Sequence, residues 1–241
     1  MRLLVAGDIA RTLVKRRATL GEVIPVLTPA EHQAASDAAL LAVPGFRQLY
    51  AERWDPPLPA LEPLAALPVG SFGHAYARYM KHYRLSPDFF PIPTRLGAEV
   101  TPTGYAVHRL NKSHDFFHVL GAYETSDADE VAVQSFVFGV APVALAHFLA
   151  AAAVHPDIQS ARYKHLRDIY SGPIQAEDFE RGAAAASLLG TRLETLWEEP
   201  LEELRRRLGI TAREPARLGP VGENSCGGFT VIPFFTPARA P

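Results

Sequence analysis

Cysteine is nearly absent from this chain, in which Cys226 is the only one among 241 residues. A single cysteine excludes an internal disulfide and any cysteine-rich zinc site, and it is typical of a protein from a reducing compartment. A strong excess of either positive or negative charge is missing as well, since the formal net charge is −2 at pH 7. The chain therefore lacks a basic field that would recruit nucleic acid, and we expect no nucleic-acid partner.

Long apolar runs are also absent. A membrane-spanning helix needs about 20 consecutive apolar residues, whereas the alanine-rich stretch Val137–Val154 contains Pro142 and His147. Asp8 interrupts the first apolar run, which is too short for a signal peptide. Residues 3–18 could form a small amphipathic helix on a membrane surface, but an ordinary surface helix is favoured because large apolar residues are few. We expect a cytoplasmic protein, with peripheral contact at the inner membrane face as an alternative.

Signatures of nucleotide binding and serine hydrolysis, such as GxGxxG, the P-loop and GxSxG, do not occur. With 48% hydrophobic residues, the chain can bury the core of one domain. No stretch alternates long enough for a sheet, so the sequence predicts an all-α fold over residues 1–210. The Pro- and Gly-rich tail, residues 211–241, should dock on that domain because Phe229–Phe235 is apolar enough to need burial.

Capping signals and breakers locate the helices. Thr28-Pro-Ala-Glu31 is typical of a capping box and predicts a helix to about Ala42. Residues 71–84 predict an amphipathic helix whose aromatic stripe belongs to the core or walls an apolar pocket. Charge-rich Glu198–Arg207 is typical of a solvated helix face. Further helices are predicted over residues 131–153 (kinked at Pro142), 155–170, 176–189 and 191–208, and residues 55–59 form an extended connector.

One stretch concentrates chemically useful side chains. It reads His114-Asp-Phe-Phe-His118 and lies within a helix-compatible run, Tyr105–Tyr123. On a helix, His114 and His118 lie one above the other, with Asp115 on the same face. Glu130 follows His118 after eleven residues.

The residues between His118 and Glu130 contain a natural break. Gly121 and the polar residues 124–127 predict a helix end and a turn. Ser126-x-x-Asp129 is typical of the cap of a second helix. A tight helical hairpin could therefore return Glu130 towards the histidines.

Two imidazoles and two carboxylates make a mixed nitrogen and oxygen site for a divalent metal, with zinc favoured by the histidines. We predict His114, Asp115, His118 and Glu130 as ligands, with Fe²⁺, Mn²⁺ or Co²⁺ as other candidates. The alternative is that both histidines border a buried surface and Asp115 hydrogen-bonds one of them. The acidic residues favour the metal site, because carboxylates facing an apolar surface need a partner.

Arg109 precedes His114 by five residues. It could hold a substrate carboxylate bidentately, pair with Asp115, or form a plain surface salt bridge. His108 lies off the face of the two motif histidines, which is typical of a surface or supporting residue.

The whole pattern, HDxxH-x11-E, resembles the signature of the coenzyme Q (ubiquinone) biosynthesis protein 4 family. Residues 67–76, 85–88 and 197–209 are similar to further parts of that family, so the resemblance runs from about residue 40 to residue 210. It implies an all-helical, zinc-binding protein linked to removal of the C1 carboxyl from a polyprenylated hydroxybenzoate, often within a complex at a membrane. Asp115, Glu130 and Arg109 would then be the catalytic residues.

The chain also departs from the family. Arg109 matches a basic position, but Asn111 and Lys112 stand where Arg-Glu is usual, and Asp129 replaces a glycine. Three hypotheses follow: a metal-dependent decarboxylase of a ubiquinone precursor, a relative that tailors another hydrophobic aromatic or polyketide product, and a non-catalytic prenyl-binding scaffold with a structural metal. Each predicts a hydrophobic aromatic or prenylated ligand, and a homodimer or a biosynthetic complex is expected.

Overall fold

The computed structural model describes residues 30–87, 100–141 and 174–213. Helices dominate these ranges, as predicted. They are α1 (Ala30–Ala42), α2 (Phe46–Glu52), α3 (Leu61–Ala65), α4 (Phe72–Tyr83), α5 (Pro102–Lys112), α6 (His114–Gly121), α7 (Asp127–Val140), α8 (Ile174–Ala184), the 3₁₀ helices η1 (Ala186–Gly190) and η2 (Leu193–Thr195), and α9 (Leu201–Leu208).

The prediction of an all-α fold is confirmed. Within the described ranges, β structure is limited to one isolated antiparallel bridge between Ser71 and Pro200. The described helices include none that is both long and apolar enough to cross a membrane.

Helix α4 follows from signals that the sequence carries locally. The Ser71 side chain accepts a hydrogen bond from the His74 amide at 3.2 Å, which satisfies one of the amides left over in the first turn. Arg84, with φ at 57°, ends the helix in the left-handed region. The aromatic stripe faces inward, and Tyr76, Tyr79 and Tyr83 are all buried. The helix predicted over residues 71–84 is confirmed.

Aromatic rings hold the core together between α4, α6 and the segment before α9. Phe72 stacks on Trp197 with ring centroids 5.1 Å apart. Phe116 meets both rings edge-on, at 5.7 Å from Phe72 and 5.2 Å from Trp197. Such pairs add roughly 0.5–1.5 kcal/mol each beyond the area they bury. Phe116 lies between the two motif histidines in sequence, so this cluster anchors the helix that carries them.

Helices α7 and α8 pack at unusually short range. A Cβ added at Gly182 would lie 1.9 Å from the carbonyl oxygen of Phe136, and one at Gly139 would lie 2.1 Å from that of Phe179. Only glycine fits where two backbones approach so closely. The contact fixes α8 against the second helix of the hairpin.

Several helical predictions were wrong in their extent. The helix predicted over residues 176–189 ends as α8 at Ala184, and the 3₁₀ helix η1 follows it. The helix predicted over residues 131–153 leaves helical geometry at Ala141. The run Tyr105–Tyr123 divides into α5 and α6, because Ser113 adopts φ −92° and ψ 5° between them. Serine favours such breaks, but apolar spacing alone could not reveal this one. Predicted helix 191–208 is also interrupted, and a regular α helix resumes only at Leu201.

The helix predicted over residues 191–208 is interrupted because of contacts with another part of the fold. The carbonyl oxygens of Glu199 and Trp197 accept hydrogen bonds from the Phe72 and Gly73 amides, each at 2.8 Å. These carbonyls thus satisfy the first turn of α4 instead of continuing a helix. Pro200 then precedes α9, consistent with the bias of prolines towards helix starts.

Several predictions lie outside the described residues. They are the capping box at Thr28–Pro29, the surface helix over residues 3–18, the kink at Pro142, the helix over residues 155–170 and the apolar tail segment Phe229–Phe235. The helix predicted to reach about Ala42 does end there. The division at residue 210 stays a prediction.

Candidate metal centre

The hairpin of α6 and α7 carries all four predicted ligands. His114 and His118 lie one turn apart on α6, and their ring centroids are 4.9 Å apart with the planes at 66°. Asp115 Oδ1 lies 3.5 Å from His114 Nδ1. The side chains of His114 and Asp115 are each only partly exposed. The structure therefore places His114 beside both His118 and Asp115 on α6.

His118 is held by the turn that follows its helix. Its Nδ1 donates to the carbonyl oxygen of Glu124 at 2.9 Å, and the residue is 1% exposed. A carbonyl only accepts, so Nδ1 carries a proton, and Nε2 is the nitrogen that can bind a metal when the ring is neutral. Histidines that bind metals typically have one ring nitrogen fixed in this way. The chemistry of this donor set fits a divalent ion.

Helix α4 supplies an aromatic wall beside His118. The Tyr79 ring lies 5.5 Å from the His118 ring, and the Tyr83 ring lies 4.9 Å from Tyr79. Both tyrosines are buried. The aromatic stripe that the sequence assigned to core or to a pocket wall thus reaches the histidine pair.

Glu130 belongs to the first turn of α7. That helix begins after Ser126, whose hydroxyl accepts from the Asp129 amide at 3.2 Å, so the predicted cap is present. The Glu130 side chain itself lies outside the described part of the structure. Among the side chains that are described, no group of three or more His, Cys, Asp or Glu residues is arranged to hold a metal ion. The four-ligand site therefore stays a prediction that depends on Glu130.

Arg109 has partners that the sequence did not indicate. Its guanidinium pairs with Glu194 of η2, and Nη2 donates to the carbonyl of Thr191 at 3.1 Å. The two side chains of the ion pair are 3% and 2% exposed. Trp54 Nε1 also donates to Glu194, at 3.3 Å. The alternative that Arg109 forms a surface salt bridge was wrong, because its ion pair with Glu194 is buried and connects α5 to η2.

A second ionic cluster lies at the end of α5. His108 Nε2 lies 3.0 Å from Asp55 Oδ1, and Lys112 Nζ lies 2.5 Å from the same oxygen. Burial by itself opposes ionisation of Asp55, but hydrogen bonds and charges from His108 and Lys112 outweigh it and lower the pKa of Asp55 to about 2. His108 is buried, so the prediction of a surface position for it was wrong. Lys112 thus holds the predicted connector, residues 55–59, against α5.

Arginine caps the helix of the two histidines. Arg205 of α9 donates through Nε to the carbonyl of Leu120 at 2.8 Å and through Nη2 to that of Val119 at 2.7 Å. These carbonyls belong to the last turn of α6, where helical partners are lacking and positive charge is favourable. The sequence had assigned this residue to a solvated face. Its role escaped prediction because nothing in the spacing of charges specifies a distant carbonyl.

The turn between α6 and α7 is anchored from α8 as well. Tyr123 donates to Asp178 Oδ1 at 2.9 Å, and both residues are buried. Burial, reinforced by the charge of Asp178, raises the pKa of Tyr123. Burial also raises the pKa of Asp178. A Cβ at Gly121 would lie 2.2 Å from the Tyr123 ring, so glycine is required where this ring folds back.

The fold and site define a class: an all-helical protein with paired imidazoles on one arm of a helical hairpin. A family model described as coenzyme Q (ubiquinone) biosynthesis protein Coq4 matches residues 56–214, well over half of the chain. The chain belongs to this family, and the resemblance seen in its motifs is confirmed. The family role in ubiquinone biosynthesis is supported by the curated relatives.

The relatives carry names from the same pathway. The ubiquinone biosynthesis protein COQ4 homolog, mitochondrial, of Bos taurus is 32% identical over 148 residues, 61% of this chain and 53% of the relative. The homologue of Homo sapiens is 31% identical over 152 residues, covering 62% and 54%. This chain thus spans about half the length of the curated relatives it matches.

A solved structure supports the fold. The crystal structure of a protein from Nostoc punctiforme PCC 73102, assigned provisionally to ubiquinone biosynthesis, matches with a TM-score of 0.62. The match covers 88% of this chain and 98% of that one at 22% identity. At this identity the likeness concerns the fold alone.

Proposed function

We propose that the protein is a metal-dependent decarboxylase that removes the C1 carboxyl from a prenylated hydroxybenzoate-type precursor of ubiquinone. The observation that carries the proposal is the paired imidazoles of α6, of which His118 is fixed through Nδ1 to the carbonyl of Glu124. A ring anchored in this way serves metal binding better than it serves a surface role. The family membership supplies the pathway.

His114, Asp115, His118 and Glu130 would hold the ion, with zinc favoured by the nitrogen ligands and Fe²⁺, Mn²⁺ or Co²⁺ also compatible. When bound, a divalent ion can neutralise the negative charge of a carboxylate and a neighbouring phenolate oxygen. Asp115 lies beside His114 and is only partly exposed. Its carboxylate, or that of Glu130, is the candidate proton carrier.

Decarboxylation requires a proton donor, because the ring carbon C1 must take up a proton when carbon dioxide leaves. When the bond between C1 and the carboxyl carbon breaks, carbon dioxide leaves and the electron pair stays on the ring. A protonated Asp115 or Glu130 then delivers a proton to C1 and becomes a carboxylate. If a hydroxyl takes the place of the carboxyl, the ring carbon is oxidised by two electrons, and with molecular oxygen and water as co-reactants carbon dioxide and hydrogen peroxide are released. Zinc has no redox chemistry of its own, so oxygen would then react with the electron-rich ring itself, or the metal is not zinc.

The apolar surroundings support a hydrophobic aromatic substrate. Phe116, Phe117 and Val119, which neighbour the histidines in the sequence of α6, are buried, and Tyr79 packs beside His118. Such surfaces exclude water and strengthen electrostatic contacts with a substrate. They suit a substituted benzene ring with an apolar tail.

Arg109 receives a revised role. The sequence allowed it as a clamp for the substrate carboxylate, but its guanidinium contacts Glu194 and Thr191. A substrate would have to displace a buried carboxylate to use it. We therefore assign Arg109 to positioning of α5, which leads directly into the helix of His114.

A second candidate is a relative that tailors another hydrophobic aromatic or polyketide product. The altered residues Asn111, Lys112 and Asp129 and the additional tail motivate it. A third is a prenyl-binding scaffold with a structural metal.

The relatives are named mitochondrial. For this chain we propose a cytoplasmic location or a peripheral position at the inner membrane face. We also propose that it works as a homodimer or within a biosynthetic complex.

The decisive experiment replaces the endogenous gene with a Glu130→Gln variant and measures ubiquinone and its carboxylated precursor. Loss of the end product with accumulation of the precursor is expected, because only charge and basicity change. Glu203→Gln, which alters a carboxylate on α9 that is 51% exposed, is the matched control. Normal output from a folded Glu130→Gln protein would rule out catalysis and favour the scaffold. Purified enzyme that releases carbon dioxide only from polyketide acids would favour the second candidate.

A further inference from the structure

Arg213 connects the two helices of the candidate metal hairpin. Its backbone amide donates to the carbonyl of Gly121, the last residue of α6, at 3.0 Å. Its guanidinium pairs with Asp129 in the first turn of α7. The same guanidinium lies over the Tyr123 ring, 5.5 Å from the centroid. One residue from beyond α9 thus contacts the end of one helix, the turn and the start of the next.

Asp129 is well placed to transmit this contact. Its Oδ2 accepts from the Ser126 hydroxyl at 2.6 Å, and its amide donates back to that hydroxyl at 3.2 Å. The carboxylate therefore belongs to the cap of α7 and to the ion pair at once. The next residue is Glu130, the predicted ligand on this helix.

The turn also reaches the histidines directly. His118 Nδ1 is bonded to the carbonyl of Glu124, and the Tyr123 amide donates to the carbonyl of His118 at 2.9 Å. A displacement of α7 relative to α6 would strain these contacts. The separation of the two helices and the orientation of His118 are therefore coupled through residues 123–126.

We infer that Arg213 is a positioning residue for the metal site, acting through Asp129 to hold the α7 ligand at the correct distance from the α6 histidines. The inference rests on the proposed metal site. The ion pair is only partly exposed, with side chains at 29% and 18%, so it is less screened than a surface pair. Loss of residues that support metal ligands typically weakens metal binding by about 10–100-fold.

The test measures the zinc dissociation constant of the full chain by competition with a chromophoric chelator. We expect Arg213→Ala and Asp129→Ala each to weaken zinc binding about tenfold. The double variant should lose no more than either single one, because both changes break the same contact. Arg213→Lys keeps the charge and the backbone amide and should restore most of the affinity. Arg206→Ala, which removes an exposed ion pair with Glu203 on α9, is the matched control.

A purely structural role predicts a different result: a lower melting temperature of the metal-free protein with an unchanged zinc dissociation constant. That outcome, or an equal loss of affinity in Arg206→Ala, would overturn the inference. If the wild-type protein binds no zinc, the proposed function fails and the inference fails with it, whereas zinc binding that the variants leave unchanged overturns the inference alone. Amide exchange tests the contact on which the inference depends, since the Asp129 amide should exchange about tenfold faster in Arg213→Ala if the ion pair holds this turn. An unchanged exchange rate would overturn it.

Discussion

His118 is hydrogen-bonded through Nδ1 to the carbonyl oxygen of Glu124 at 2.9 Å, so an imidazole on α6 is fixed by the turn that leads into α7. The bond selects the tautomer of the ring and limits its rotation. It also links the histidine to the segment that carries Glu130. The candidate metal centre is therefore organised by the hairpin, and not by the spacing of two histidines alone.

Metal content is expected to depend on His118. We expect the wild-type protein to bind one divalent ion and His118→Ala to lose it on dialysis, because one nitrogen ligand is removed. The ligands must be deprotonated, so binding should also weaken in acid. Elemental analysis of the dialysed proteins measures this, with His74→Ala on α4 as the control. A stoichiometric, tightly held ion in His118→Ala would contradict the site.

The buried pair between Arg109 and Glu194 should dominate the stability of the contact between α5 and η2. Arg109→Ala leaves a buried carboxylate without its countercharge, and we expect a loss of about 3–5 kcal/mol in the free energy of unfolding. Replacing both residues, as Arg109→Met with Glu194→Leu, should cost much less. Urea unfolding measures both proteins. A double variant as unstable as the single one would show that the charge is not the cause.

Arg205 should stabilise α6 through the carbonyls of Val119 and Leu120. Arg205→Ala removes two hydrogen bonds from a charged donor, and we expect a loss of about 1.5–3 kcal/mol in the free energy of unfolding. The exposed Arg206→Ala variant should change it by less than about 0.5 kcal/mol. Equal effects of the two substitutions in urea unfolding would mean that the capping contacts contribute little.

Asp55 should contribute to acid sensitivity. Its pKa is lowered from 3.8 to about 2, so the folded state binds a proton less readily than the unfolded state does. The stabilisation is therefore fully present above about pH 4 and is lost as the pH falls towards 2. The difference in unfolding free energy between the wild-type protein and Asp55→Asn should shrink over that range. A difference that does not vary with pH would exclude ionisation of Asp55 as its source.

Local signals made much of the fold predictable. The Ser71 cap and the aromatic stripe specify α4 because capping and helical periodicity act over a few residues. Ser126 with Asp129 specifies the start of α7 in the same way. The order of motifs from residue 67 to residue 209 likewise indicates the family from the amino-acid sequence alone.

Tertiary contacts decided the rest. The irregular segment before Pro200 depends on carbonyls that accept hydrogen bonds from the first turn of α4, which apolar spacing cannot encode. The Glu194 partner of Arg109 lies 85 residues further along the chain.

The sequence by itself determined the helical class, the hairpin and the candidate ligands His114, Asp115, His118 and Glu130, because these follow from patterns within about a dozen residues. Only the tertiary structure decided that Arg205 and Arg213 serve this hairpin. A charged side chain in a sequence specifies the sign of its partner but not its identity, and folding selects among many distant carbonyls and carboxylates by burial and geometry.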